Sequence, residues 1–127
     1  MNRITALTAT AVLTTLAALP APAMAKTGDV VRRGSCSESA SWKLKASPDD
    51  GRIEVEGEVD SNVKGQTWKW KLVHNGSVSA RGSATTTGAS GSFDVQRKVV
   101  DVKGDDHLTF VAHNPKSDET CSGSLTI

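Results

Sequence analysis

The chain has 127 residues, with 15 Lys or Arg against 14 Asp or Glu, and two cysteines. That length holds one small domain with a modest core. Charge this evenly balanced, with no strongly one-signed stretch, offers neither a basic stripe for nucleic acid nor a polybasic segment for a membrane surface.

Residues 1–25 read as an export signal. Arg3 is the only charge before Lys26, and residues 4–19 (ITALTATAVLTTLAAL) are apolar apart from their threonines. Pro20 and Pro22 break the run, and Ala23-Met24-Ala25 makes a small-x-small cleavage site. The run is short for a membrane span. No twin-arginine pair precedes it, so the general secretion route is expected, with a secreted, extracellular product that leaves the membrane on cleavage. With Arg3 removed, residues 26–127 hold as many basic residues as their 14 acidic ones.

Residues 26–35 (KTGDVVRRGS) form a polar, weakly patterned leader, and the domain proper is expected over 36–127. Trp42, Leu44 and Ala46 alternate with Lys43 and Lys45 up to a turn at 47–51 (SPDDG). Ile53, Val55 and Val59 alternate with Glu54, Glu56 and Glu58, while Gly57 falls on the apolar side, where it marks a bulge or a close backbone approach. If these two strands pair, Lys43 and Lys45 face the glutamates. After a turn region at 59–66, TWKWKLV (67–73) sets Trp68, Trp70 and Leu72 on one face and Lys69, Lys71 and Val73 on the other. Asn75-Gly76 is a strong hairpin signal. It leads to a return strand over 77–84 with Val78 and Ala80 inward, then to a flexible small-residue loop at 85–92. Phe93, Val95, Arg97 and Val99 share one parity in the next strand, as do Leu108, Phe110 and Ala112 beyond a turn at 103–106. After the loop 114–119, Cys121, Leu125 and Ile127 share the parity of the last strand.

No helical period appears beyond the signal. About seven short strands, with turns roughly every eight to twelve residues, predict an all-β, immunoglobulin-like antiparallel β-sandwich. The expected core is Trp42, Leu44, Ile53, Val55, Val59, Trp68, Trp70, Leu72, Phe93, Val95, Leu108, Phe110 and Ala112.

Export places Cys36 and Cys121 in an oxidising compartment, where a lone pair of cysteines forms a disulfide. A lipid-bearing cysteine would follow the apolar run directly, but Cys36 stands beyond Arg32-Arg33-Gly34-Ser35. No His or further Cys stands at metal-ligand spacing. A bridge between Cys36 and Cys121 ties the N-terminal segment to the final strand.

Three stretches carry a resemblance: 34–76 (GSCSESASWKLKASPDDGRIEVEGEVDSNVKGQTWKWKLVHNG), 90–101 (SGSFDVQRKVVD) and 104–123 (GDDHLTFVAHNPKSDETCSG). Together the chain resembles a group of small secreted actinobacterial proteins with an Ig-like sandwich domain and no assigned activity. The resemblance implies an exported, one-disulfide domain and no catalytic residues.

The chemical inventory is sparse. Trp68-Lys69-Trp70 puts two indoles on one strand face, a candidate binding platform for sugar or base, but Leu72 continues the same parity and makes this the expected core face. His107 and His113 are separated by roughly 20 Å along a strand, too far to share a metal. Nothing in the sequence brings His74 to Asp105-Asp106-His107, which reads as a turn and an exposed strand start. A Lys cross-link needs a buried lysine beside a buried carboxyl, and every lysine falls on polar parity or in a loop. There is no nucleophile elbow and no coherent Ser, His and Asp set. The expectation is a secreted, non-enzymatic interaction module with no cofactor or metal. Its partner is an extracellular protein or cell-surface glycan, met through loops 61–66, 85–92 and 114–119. The alternatives are a protease inhibitor, which lacks a local disulfide to preorganise its loop, and a small hydrolase.

Overall fold

The alternating stretches become strands, and one more strand forms than the pattern announces. In a computed structural model of the protein, which describes residues 17, 26 and 28–127, eight strands form two four-stranded antiparallel sheets. The strands are β1 (Val30–Ser35), β2 (Ser41–Asp49), β3 (Arg52–Asp60), β4 (Thr67–His74), β5 (Ser77–Thr85), β6 (Ser92–Val100), β7 (His107–His113) and β8 (Thr120–Thr126). The first sheet runs β1-β2-β3-β6 and the second β5-β4-β7-β8. They face each other in a β-sandwich-like arrangement. The export signal predicted over 1–25 lies outside the described residues, Ala17 excepted.

The unannounced strand is β1, in what reads as leader. It pairs along β2 from Val30 opposite Ala46 to Ser35 opposite Ser41. Its residues are at best half-buried, so it carries little of the alternation that betrays the other strands. Pro48 sits in β2 past the last β1 pair, where that side of the strand needs no amide donor. The β2–β3 and β4–β5 hairpins turn on Asp50-Gly51 and Asn75-Gly76. All four residues have positive φ, from +47° to +84°, the requirement of a tight type I′ turn.

The sheets bury Leu44, Ala46, Ile53, Val55, Val59, Trp68, Trp70, Leu72, Phe93, Val99, Leu108, Phe110, Ala112, Cys121 and Leu125 between them. Trp42 and Val95, expected inside, are only partly buried and pack against this cluster. Val78 is a correction to the expected inward pattern. The ladder pairs Leu72 with Ala80 but Val73 with Val78, leaving Ser79 as the extra residue of a bulge. The bulge resets the parity, so Ala80 points in while Val78 is 43% exposed.

The two lateral seams of the sandwich close differently. On one side, Cys36, just past β1, is bonded to Cys121 of β8, so the staple joins the two sheets as well as the two ends of the domain. Trp42 lies in the same seam, its ring against Gly34 and Gly123. A Cβ at either glycine would come within 2.7 Å or 2.3 Å of the indole. On the other side, β5 offers mostly small residues, and Arg97 of β6 lays its guanidinium over Trp70 at 4.9 Å. Between the seams, Gly57 gives Phe110 room against β3, the close backbone approach its parity suggested.

This packing sets the expected cost of two changes. The double variant Cys36→Ala/Cys121→Ala should lose about 4 kcal/mol of unfolding free energy, the chain-entropy value for so long a loop; an unchanged urea midpoint would contradict a structural staple. Gly57→Ala would set a methyl 2.6 Å from the Phe110 ring, and should cost about 1–3 kcal/mol in the same titration.

Candidate functional site

The parity of β4 decides where its chemistry goes. Trp68 and Trp70 are buried, 0% and 4% exposed, so neither ring forms an exposed platform. Lys69 and Lys71, between and after them, are exposed on the outer face of the second sheet. In the ladder, Lys71 stands directly opposite Arg81 of β5, while Lys69 lies between Ser83 of β5 and His113 of β7. An open cleft of about 410 Å³ runs over this patch, lined by Lys69, Lys71, Arg81, Gly82, Ser83, Val111 and His113, with the nearly buried Trp70 contributing at its floor.

No Asp or Glu occurs in β4, β5, β7 or β8. The rest of the outer face is mainly hydroxyl: Thr67 beside Thr85 at 3.4 Å, Thr109 beside Ser124 at 2.9 Å, and Thr126 bonded to His107 Nδ1 at 2.8 Å. Among the described residues none of Lys69, Lys71 and Arg81 makes an ion pair; at the rim, the exposed Asp118 takes His113 Nε2 at 2.8 Å. The outer face of the first sheet behaves otherwise. Lys43 reaches Glu56 at 3.1 Å and Glu58 at 3.6 Å, Lys98 reaches Asp49 at 2.8 Å, and Lys45 turns to Asp29 at 3.5 Å. A chain balanced overall is therefore polarised. The carboxylates of its strands all lie in the first sheet, where they are mixed with Lys and Arg, and the second has Lys69, Lys71, Arg81 and all three histidines with no carboxylate among them.

The loops singled out in the sequence are anchored. Thr86 ties 85–92 to 61–66: its hydroxyl donates to Val63 O at 2.6 Å and accepts from Gln66 N at 2.9 Å. Ser61 N donates to Gly91 O at 3.0 Å. Glu119, buried at the end of 114–119, accepts from Glu38 N at 3.1 Å and Ala40 N at 2.9 Å. A second cleft of about 350 Å³, lined by Gly65, Gln66, Thr67, Asn114, Pro115, Lys116 and Ser117, lies next along β4 from the first.

Sequence reasoning missed Asp106. The stretch Asp105-Asp106-His107 reads as an exposed turn, yet Asp106 is fully buried. Its two carboxylate oxygens take His74 Nε2 and Lys26 Nζ, and Lys26 also binds Asp101 at 2.7 Å. Its backbone pairs with Ile127, N to O at 2.9 Å and O from N at 3.0 Å. One residue thus joins Lys26, the end of β4 and the β6–β7 loop through its carboxylate, and Ile127 through its backbone. Burial alone would raise the Asp106 pKa; the hydrogen bonds from Lys26, His74 and Val102 N, with the Lys26 charge, outweigh it and hold the carboxyl below its ordinary range. Burial likewise opposes the charge on Lys26, but Asp101 and Asp106 together hold it above its ordinary value. Lys26 does bring a lysine against a buried carboxyl, and the two stand there as an ion pair. Among the described residues no three His, Cys, Asp or Glu side chains are grouped to hold a metal.

Comparison with family models, with characterised proteins and with solved structures finds no match to the chain.

Because the folded Asp106 carboxyl is depressed, its stabilisation is present above the unfolded value near 3.8 and is lost as the pH falls below it. Asp106→Asn should cost about 3 kcal/mol at neutral pH and flatten the acid limb of stability against pH, read from urea midpoints between pH 2 and 7. An acid limb as steep as that of the parent would place the titration elsewhere.

Proposed function

We propose that the protein is a secreted, non-enzymatic interaction module with an immunoglobulin-like fold, and that its binding surface is the outer face of β5-β4-β7-β8 for an anionic extracellular partner. The strand order supports the fold assignment. Taking β2 to β8 as successive strands A, B, C, C′, E, F and G gives A-B-E facing G-F-C-C′, with the buried Trp68 on C. In antibody domains the bridge joins B to F; here it joins the segment before A to G, and β1 is an added edge.

The observation that carries the binding role is the uncompensated charge of the face. Lys71 and Arg81 stand opposite one another in the ladder, an arrangement that costs stability, and no carboxylate among the described residues relieves it. An anion from outside would. The described residues supply no pocketed nucleophile and base, so the face favours binding over catalysis. The hydroxyl-bearing, shallow cleft suits an extended surface or polymer.

The test uses the exported protein and the insoluble envelope fraction of the cells that make it. The parent should be retained and then eluted by salt. The variant Lys69→Gln/Lys71→Gln/Arg81→Gln, with the melting temperature of the parent, should lose about tenfold or more in retention. Equal retention of both proteins would reject the face as the binding surface.

A further inference from the structure

Resting on that reading, we propose that the ligand of the cationic face is a linear, acyclic phosphodiester polymer of a small polyol, laid along β4. Three independent features of the face point to this chemistry.

The first is period. Same-face residues of a strand repeat every two residues, six backbone bonds, and roughly 7 Å. A glycerol phosphate chain also repeats every six backbone bonds, P–O–C–C–C–O, so an extended chain presents its charges at the spacing of Lys69 and Lys71; a nucleic-acid backbone shares that repeat, so the period selects a phosphodiester and the third feature selects the polyol. Arg81, opposite Lys71, adds a planar fork suited to two oxygens of one phosphate. The second is length. The clefts over Lys69 and Lys71 and beside Thr67 and Lys116 follow one another along β4, a track rather than a pocket.

The third feature is what the face lacks. Single-stranded nucleic acids draw part of their hold from bases stacked on side-chain rings, and pyranose rings rest on aromatic faces in the same way. The chain has no tyrosine; Trp68, Trp70, Phe93 and Phe110 are buried, and Trp42 is packed into the disulfide seam. What remains beside the cations is rows of threonine and serine hydroxyls, donors and acceptors that match the free hydroxyls of a polyol. Charge carried on the chain itself, with no ring to stack, fits this surface better than a nucleic acid or a uronate glycan.

The experiment titrates the exported protein with synthetic poly(glycerol phosphate), with oligothymidylate of equal phosphate number and with polygalacturonate, over a range of salt. Poly(glycerol phosphate) should bind best, with a log–log salt slope of about −2 to −3. Lys71→Gln/Arg81→Gln should make that slope shallower by roughly 1.4, about 0.7 for each phosphate no longer neutralised. The proposal is overturned if poly(glycerol phosphate) does not bind at low salt, if the double variant binds it with the slope of the parent, or if either ring polymer binds as tightly. Envelope retention that depends on the three cations while poly(glycerol phosphate) is ignored overturns this ligand and keeps the binding face. Retention independent of those cations overturns the face itself.

Discussion

The two-residue pleat of β4 is the constraint from which both the core and the candidate surface follow. Each residue must point to the face opposite its neighbours, so a strand that buries Trp68, Trp70 and Leu72 has to expose Lys69 and Lys71. Burying each indole removes a large apolar area from water, and aromatic side chains dominate such cores. A slip of one residue would put three large apolar groups in solvent and two ammonium groups in the core. The register of the cations is therefore held by the packing of the tryptophans, which fixes the backbone positions from which Lys69 and Lys71 project. Few changes could move the lysines without unpacking the domain.

The two seams show how a small sandwich finishes itself when its core is modest. At the β1–β8 seam the chain uses a covalent bond, with Trp42 lying on two glycines that leave room for its ring. At the β5–β6 seam it uses Arg97, whose stem and guanidinium cover Trp70 while its charge reaches water. A third closure lies at one end, where Asp106 collects Lys26, His74 and the backbone of Ile127. The described residues of the leader are therefore part of the folded body: Lys26 is clamped, Val30–Ser35 is a strand, and Cys36, which follows it, carries the disulfide.

The alternation of Trp42 to Ile127 makes most of the fold and core legible in the sequence, because strands buried on one face announce their period. What stays hidden has physical reasons. β1 is an edge strand with both faces partly wet, so Val30 and Val31 carry no clean period. Ser79 breaks parity in a stretch of small residues, where one step in or out changes little apolar area and leaves no trace in the pattern. Asp106 looks like any turn carboxylate, because its burial depends on Lys26 and His74, which are 80 and 32 residues away. The cationic face is visible residue by residue as Lys69, Lys71 and Arg81. It is not visible as a face, since β4 lies between β5 and β7 only once the second sheet has formed.

Net charge alone is therefore a poor guide to such a domain. Balanced composition excludes a strong electrostatic partner only if the charges are mixed in space as they are in sequence. Here the sheet topology sorts them. β3, with its glutamates, lies in the first sheet between β2 and β6; Lys43 of β2 pairs with Glu56 and Glu58, and Lys98 of β6 pairs with Asp49 of β2. The lysines of β4 are sent to the opposite outer face, beyond two layers of apolar side chains. The result is a nearly neutral domain with one cationic outer face, reached without the self-repulsion that a large net charge would impose. For a domain of this size that combination matters: the core has little stability to spare, and confining the unrelieved like charge to Lys69, Lys71 and Arg81 costs it less than accumulating like charges throughout.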